Sequence, residues 1–379
     1  MDLGSYAVVG AVAAGVTAVT TPIVRRIAVR KGWVVQPDER RIHTRPTPAI
    51  GGIAMFVGFA VAVGVAWRMH AFASLFTTSE PFGVLAGAAV IFAVGLADDI
   101  RDWSAPAKMT GMVLAGIVLA LTGVTMYYFR FPRMDPISVG RDLQPLATVL
   151  WLVAIANAIN IIDGLDGLAA GIVAIASGTF FLYGQELDHK GILIAPNIGP
   201  LIAIVTLGIC LGFLPFNFHP ARIFMGDSGA LLLGLLMASS TSVVGGRTDP
   251  TVEASGQTYF FLAPLILPLV ILGVPIIDTL FAIVRRASRR QGIATADKGH
   301  LHHRLMRLGH GQRRSVLILW LWTAILSGFV LYPTYTGQGD AIVPLGVAAL
   351  ALALFTVLHP QVRRARDDAS AAAGQGTRS

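Results

Sequence analysis

The chain has 379 residues, of which 54% are hydrophobic and only 13% charged, with a formal net charge of +8 and a mean hydropathy of +0.68. So few charges at this length exclude a soluble domain. The positive balance comes without a nucleic-acid-binding motif, so nucleic acid is not an expected partner.

Apolar segments fall at about 3–24, 47–67, 82–97, 108–129, 143–162, 167–183, 197–216, 229–244, 259–284, 315–332 and 341–358. They lack strand-like alternation, and in lipid only helices or closed barrels satisfy every backbone group. The expected fold is therefore an all-α polytopic membrane protein with about eleven transmembrane helices. The N-terminal stretch lacks a positive leader region and a clean cleavage site, so it reads as a first span and not a removed signal peptide. Cys210 lies alone inside an apolar run and reads as a packed core thiol. No internal repeat or soluble domain is visible: residues 1–359 are expected as one integral membrane catalytic domain, and the polar 360–379 as a disordered cytoplasmic tail.

Taking the connections alternately, 23 of the 29 Lys and Arg fall in the set 25–46, 98–108, 163–166, 217–228, 285–314 and the tail. The positive-inside rule makes that face cytoplasmic, with the N-terminus outside and the C-terminus in the cytoplasm.

The unusual polar residues collect on the same face. "DERRIHTRPTPAIGG" brings Arg40, His43 and Arg45 to the second span, as phosphate or nucleotide contacts or as topological charge alone. "GLADDIRDW" places Asp98, Asp99 and Asp102 at the inner end of the third, and "NAINIIDGLDG" places Asn157, Asn160, Asp163 and Asp166 between the fifth and sixth. "FMGDSG" sets Asp227 just before the eighth, and "DKGHLHHRL" puts His300, His302, His303 and Arg304 in the last long inner loop. Asp278 lies inside the kinked, proline-rich ninth span and reads first as a buried partnered carboxylate.

Any one cluster is explained by solvation at a helix end, but four on one face point to a shared polar site. Adjacent Asp98 and Asp99 repel each other unless a cation or unusual solvation intervenes. Asn157, Asn160 and Asp163 recur every three residues and form a broad polar stripe on a helix, while Gly164 and Gly167 let the backbone turn close to a ligand. Carboxamides can hydrogen-bond a sugar or nucleoside, and oxygen-only ligands favour a hard cation such as Mg²⁺. Lys298, Arg304 and Arg307 disfavour a zinc site at the histidines. Those bases and imidazoles suit a phosphate instead, and Leu301, Leu305 and Leu308 give the loop an apolar stripe for the membrane surface.

In order and spacing, Asp98-Asp99-x-x-Asp102, Asn157-x-x-Asn160-x-x-Asp163-Gly-x-Asp166-Gly, Gly226-Asp227-Ser-Gly229 and His300-x-His302-His303-Arg304 resemble the polyprenyl-phosphate N-acetylhexosamine-1-phosphate transferases. "DKGHLHHRL" is similar to the WecA/TagO branch; the three consecutive histidines and following acidic residue typical of the MraY branch are absent.

The resemblance implies a Mg²⁺-dependent enzyme, with Mn²⁺ as a substitute, in the bacterial inner membrane with its site facing the cytoplasm. Undecaprenyl or decaprenyl phosphate would attack UDP-GlcNAc, releasing UMP and forming polyprenyl-diphosphate-GlcNAc, the first lipid-linked step of a cell-wall or surface glycan. It further implies that Asp98 deprotonates or orients the lipid phosphate, Asp99 supports the metal site and Asp227 ligates Mg²⁺. Asn157, Asn160, Asp163 and Asp166 would hold donor and metal, with Asp163 and Asp166 in the catalytic set. Phe224 would stack on uracil, while Arg45, His300, His302, His303 and Arg304 would neutralise the diphosphate and bind substrate. Membrane lipids surround such a protein, and a homodimer fits. Two rivals stay open: a MraY-type phospho-MurNAc-pentapeptide transferase, and a secondary transporter, whose site would sit near the midplane in repeat-related helices.

Overall fold

The computed structural model describes residues 2–35, 46–129, 137–247, 311–336 and 346–352. In chain order these form α1 (Leu3–Lys31), β1 (Val34–Val35), β2 (Thr47–Pro48), α2 (Gly52–Arg68), α3 (Glu80–Arg101), α4 (Ala105–Leu121), β3 (Tyr128–Phe129), β4 (Ile137–Ser138), α5 (Gln144–Ile162), α6 (Leu168–His189), α7 (Gly199–Asn217), α8 (Gly226–Gly245) and α9 (Gln312–Thr336). Two short 3₁₀ turns, His70–Phe72 and Leu75–Thr77, join α2 to α3. Among the described residues seven helices, α1, α3 and α5 to α9, are long and apolar enough to cross a membrane, and α2 and α4 are shorter apolar helices. The chain is a mostly helical, polytopic membrane protein.

Local chemistry sets the helix starts. Pro81, Pro106, Pro145 and Pro200 each occupy the first turn of their helix, where a missing N–H removes no intrahelical bond. Several expected boundaries move: α1 runs on to Lys31 where 24 was expected, and α6 to His189 where 183 was expected. The fourth span was expected to reach 129, but α4 stops at Leu121: Gly123 adopts φ 93 and β3 pairs antiparallel with β4. The second was expected from 47, but Thr47 and Pro48 pair with Val35 and Val34, so α2 begins at Gly52. The expected span 259–284 and the tail 360–379 lie outside the described residues, as does much of 341–358. Residues 346–352 are helical, and Leu352 packs with Ile318 and Ile325 of α9.

Helix α8 is the centre of the bundle, packed against α2, α3, α5, α6 and α7, with every residue from 228 to 247 buried. Small residues permit this approach, as is usual where lipid offers no hydrophobic drive between helices. A Cβ on Gly95 of α3 would stand 2.5 Å from Ser228 Cα, and one on Gly52 of α2 would strike Gly229 N. At one end of α3, Glu80 meets Arg247. The opposite end gathers the close of α3 and α5 with the starts of α4, α6 and α8.

Candidate active site

The "MGDSG" stretch explains how this end is built. An α-helix leaves its first N–H groups without intrahelical partners, and α8 has no side-chain cap of its own. Asp99 of α3 supplies the cap. Its Oδ1 accepts from the Asp227 N–H at 2.7 Å, and its Oδ2 accepts from the Ser228 N–H at 3.1 Å and the Ser228 hydroxyl at 2.6 Å. A carboxylate is favoured there by the helix dipole. Gly226 is required twice over: its φ is 70, and a Cβ would lie 2.5 and 2.6 Å from the two Asp99 oxygens as well as striking the Ala49 carbonyl.

With the backbone of α8 thus held, the Asp227 side chain is free for other partners. Its Oδ2 receives Lys108 Nζ at 2.8 Å and Asn160 Nδ2 at 3.4 Å. Lys108, in the first turn of α4, also reaches Asp98 Oδ2 at 3.0 Å. Asp98 Oδ1 accepts the Trp103 N–H at 2.8 Å, across the turn that Asp102 closes with φ 48. The repulsion expected between adjacent Asp98 and Asp99 is thereby resolved, the one by a lysine and the other by amides. Asp102 itself is exposed.

Asp163 ends α5 and, among the described residues, its carboxylate has no hydrogen bond or ion pair. Burial of the carboxyl, then the charges of Asp227, Asp99 and Asp166, push it up to about 8. Asp166 is compensated: its Oδ2 accepts the Ala221 N–H at 3.0 Å and pairs with His219 Nδ1 at 2.7 Å. Asn157 is not brought to Asp227; its amide donates to Val153 O at 2.8 Å and faces Met112 of α4.

The loop from α7 to α8 locks the site to the start of α2. Phe224 donates its N–H to Pro48 O at 2.8 Å, and its carbonyl accepts from Gly51 at 2.9 Å, so Phe224 stands half-buried beside this end. Arg45, His300, His302, His303 and Arg304 lie outside the described residues, as do Arg40, His43 and Asp278. Arg313, in the first turn of α9, donates to His219 O at 3.0 Å. The structure thus brings together Asp98, Asp99, Asn160, Asp163, Asp166 and Asp227. It adds Lys108 and His219, which the sequence reading had not singled out. A signal for Lys108 existed, as a lone base in the first turn of an otherwise apolar segment; His219, a single histidine before a proline, offered none.

A cation has a place here on the chemistry of the donors. Among the described residues no three carboxylates, imidazoles or thiolates converge on one point. Mg²⁺ needs less, one or two carboxylates with substrate phosphates and water. Asp163, without a counter-charge among the described residues, and Asp227 meet that requirement with oxygen alone. Asp99 has both oxygens engaged by α8. A separate cavity of about 280 Å³ at the opposite end, lined by Tyr6, Ser74, Asp188 and Asn197 among others, holds none of the residues singled out in the sequence.

The profile of glycosyl transferase family 4 matches residues 81–245, which hold all five site carboxylates and Lys108. A decaprenyl-phosphate N-acetylglucosaminephosphotransferase of Mycolicibacterium smegmatis is 37% identical over 376 residues, covering 97% of this chain and 92% of its own. A probable undecaprenyl-phosphate N-acetylglucosaminyl 1-phosphate transferase of Bacillus subtilis is 39% identical over 310 residues, covering 82% and 79%. A phospho-N-acetylmuramoyl-pentapeptide-transferase of Mycobacterium marinum is more distant, 29% identical over 357 residues, covering 84% and 93%. By its motifs, its site and these relatives, the chain belongs to glycosyl transferase family 4 and, within it, to the WecA/TagO-like family.

Proposed function

We propose that the protein transfers GlcNAc 1-phosphate from UDP-GlcNAc to undecaprenyl or decaprenyl phosphate at the cytoplasmic face of a bacterial inner membrane. An oxygen of the lipid phosphate attacks the sugar-linked phosphorus of the donor. The bond to the bridging oxygen breaks, and UMP leaves with its electrons. The product is polyprenyl-diphosphate-GlcNAc, the starting unit of a surface or cell-wall glycan. About eleven membrane helices, with the N-terminus outside, carry the site in this reading.

Two phosphates must meet, so their repulsion has to be neutralised and their geometry fixed. Asp163 and Asp227 would hold Mg²⁺, which supplies charge neutralisation at the diphosphate when bound. Lys108, between Asp98 and Asp227, keeps both carboxylates in place and offers an ammonium to an incoming phosphate oxygen. Asp98 orients the lipid phosphate. Asp99 holds Asp227 at the start of α8, and Asn160 and Asp166 contact the donor. The polyprenyl phosphate already carries a competent anionic oxygen, so displacement is direct and needs no aspartyl intermediate.

The observation that carries this reading is the meeting at one end of the bundle of five carboxylates from three stretches far apart in sequence, two of which, Asp98 and Asp227, are bridged by Lys108. Purified protein is to be assayed with UDP-GlcNAc and with UDP-muramoyl pentapeptide, each with polyprenyl phosphate and Mg²⁺. Transfer from UDP-GlcNAc, lost on chelation, is expected. Transfer from the pentapeptide donor alone would overturn the reading in favour of a MraY-type enzyme, and transfer undiminished by chelation would remove Mg²⁺.

A further inference from the structure

Asp166 sits on the turn between α5 and α6, next to Gly167 at φ 77 and two residues from Gly164. Such a turn does not hold a side chain still by itself. It is gripped by the loop that follows α7. Asn217 Oδ1 accepts the Gly167 N–H at 3.0 Å and Asn217 Nδ2 donates to Ile223 O at 3.1 Å. Ala221 donates its N–H to Asp166 Oδ2 at 3.0 Å, and His219 Nδ1 closes on the same oxygen at 2.7 Å.

These contacts differ in kind. Asn217 is buried, 2% exposed, and its bonds satisfy groups that folding has removed from water. The His219 side chain is 34% exposed, so no buried ring needs this bond for its own sake. The His219 carbonyl is taken by Arg313 of α9, which fixes the residue's backbone while leaving its ring free for Asp166. Two donors on Oδ2 commit that oxygen to the loop, and among the described residues Oδ1 has no hydrogen bond or ion pair.

We propose that His219 is a positioning residue for the sugar-nucleotide: through Nδ1 it fixes Asp166 so that Oδ1 is presented to the donor. The proposal rests on the functional reading above. It predicts a defect confined to the donor, because the described contacts of His219 do not touch Lys108, Asp98 or Asp227. Ala221 still holds Oδ2 when the ring is removed, so the turn itself persists.

The test compares the parent with His219→Ala and His219→Asn, whose amide nitrogen can replace ring Nδ1. Binding of UDP-GlcNAc is read by calorimetry in detergent, and turnover is read separately with each substrate varied. His219→Ala should raise the Kd and KM for UDP-GlcNAc about tenfold, as expected for loss of one hydrogen bond to a charged group, with kcat and the KM for polyprenyl phosphate little changed. His219→Asn should restore most of the affinity. An unchanged Kd in His219→Ala, a loss spread equally over kcat and both KM values, or an Asn variant as weak as the Ala variant would each overturn the proposal. A parent that binds UDP-GlcNAc without transferring its sugar phosphate would overturn the functional reading while the Kd comparison still decides His219. A parent that does not bind UDP-GlcNAc would overturn both.

Discussion

Glu80 at the start of α3 and Asp98 with Asp99 near its close are carboxylates of one helix in opposite circumstances. Glu80 Oε1 meets Arg247 Nη1 at 2.6 Å, and the rest of that guanidinium is used as well: Nε donates to Thr125 O at 3.1 Å, Nη2 donates to Gly123 O, and the ring of Tyr127 lies 4.6 Å away. One charge meets one charge, with the remaining donors occupied. At the other end Lys108 pairs with Asp98 and Asp227, His219 with Asp166, and Asp99 is held by amides and a hydroxyl, whereas Asp163 has no partner among the described residues. A buried ion pair with complete partners holds structure together, whereas charge left over inside a protein is costly and is kept where a ligand will use it.

The sharpest attempt to break this comparison is a pair of substitutions. Asp227→Asn should lower GlcNAc-phosphate transfer by about 100-fold or more while thermal unfolding barely changes, since the backbone bonds to Asp99 remain. Arg247→Met should do the reverse, costing about 3–5 kcal/mol of stability by stranding Glu80, with turnover per folded molecule within about twofold of the parent. A folded Arg247→Met protein without turnover would show that the two ends are not separate in role. A smaller and mixed effect is expected from Gly226→Ala, which forces a Cβ onto the Asp99 oxygens at a positive φ. Both the unfolding temperature and turnover should fall, the latter by about tenfold because Asp227 moves with its backbone. Parent-like activity there would mean that the Asp99 cap does not place Asp227.

The narrowest test, of stability against pH alone, concerns Asp163. Its folded pKa of about 8 lies above the ordinary 3.8, so in the folded state it binds a proton more tightly than in the unfolded chain. Without divalent cation, stability should therefore be greatest at low pH from this group and decline as pH rises from about 4 to about 8. Asp163→Asn should flatten that part of the profile of unfolding temperature against pH. An identical slope in parent and variant would show that Asp163 is not the uncompensated charge.

Much of this was legible because hydropathy and charge obey few rules in a membrane. The described long helices fall on expected apolar segments, and the carboxylates of the three motifs that lie among the described residues share one end. The errors have local causes. The apolar run after α4 continues through "VTMYYF", and only the turn at Thr122 and Gly123 tells helix from hairpin. Hydropathy assigns a lysine at a helix end to solvent, so Lys108 reads as a topological charge; hydropathy cannot show that α4 turns it inward upon Asp98 and Asp227. For Asp99 the resemblance implies support of the metal site, and the structure adds its cap on α8. Its bonds to α8 depend on a contact between residues 128 and 129 positions apart, which no local spacing encodes. His219 needed the same long-range information.

The burial of α8 has a consequence for how the enzyme meets different membranes. Leu114 and Leu150 lie exposed on the outer faces of α4 and α5, while α8 offers no exposed residue from 228 to 247. A thicker, thinner or stiffer bilayer acts first on the outer helices, by tilting them or by deforming the lipid beside them. The helix that carries Asp227 in its first turn is held by protein, through the glycine contacts at Gly52 and Gly95 and the cap from Asp99. It behaves as an axle inside a tyre: mechanical adaptation is left to the rim, and the depth of the reacting groups is set by packing that lipid composition does not reach.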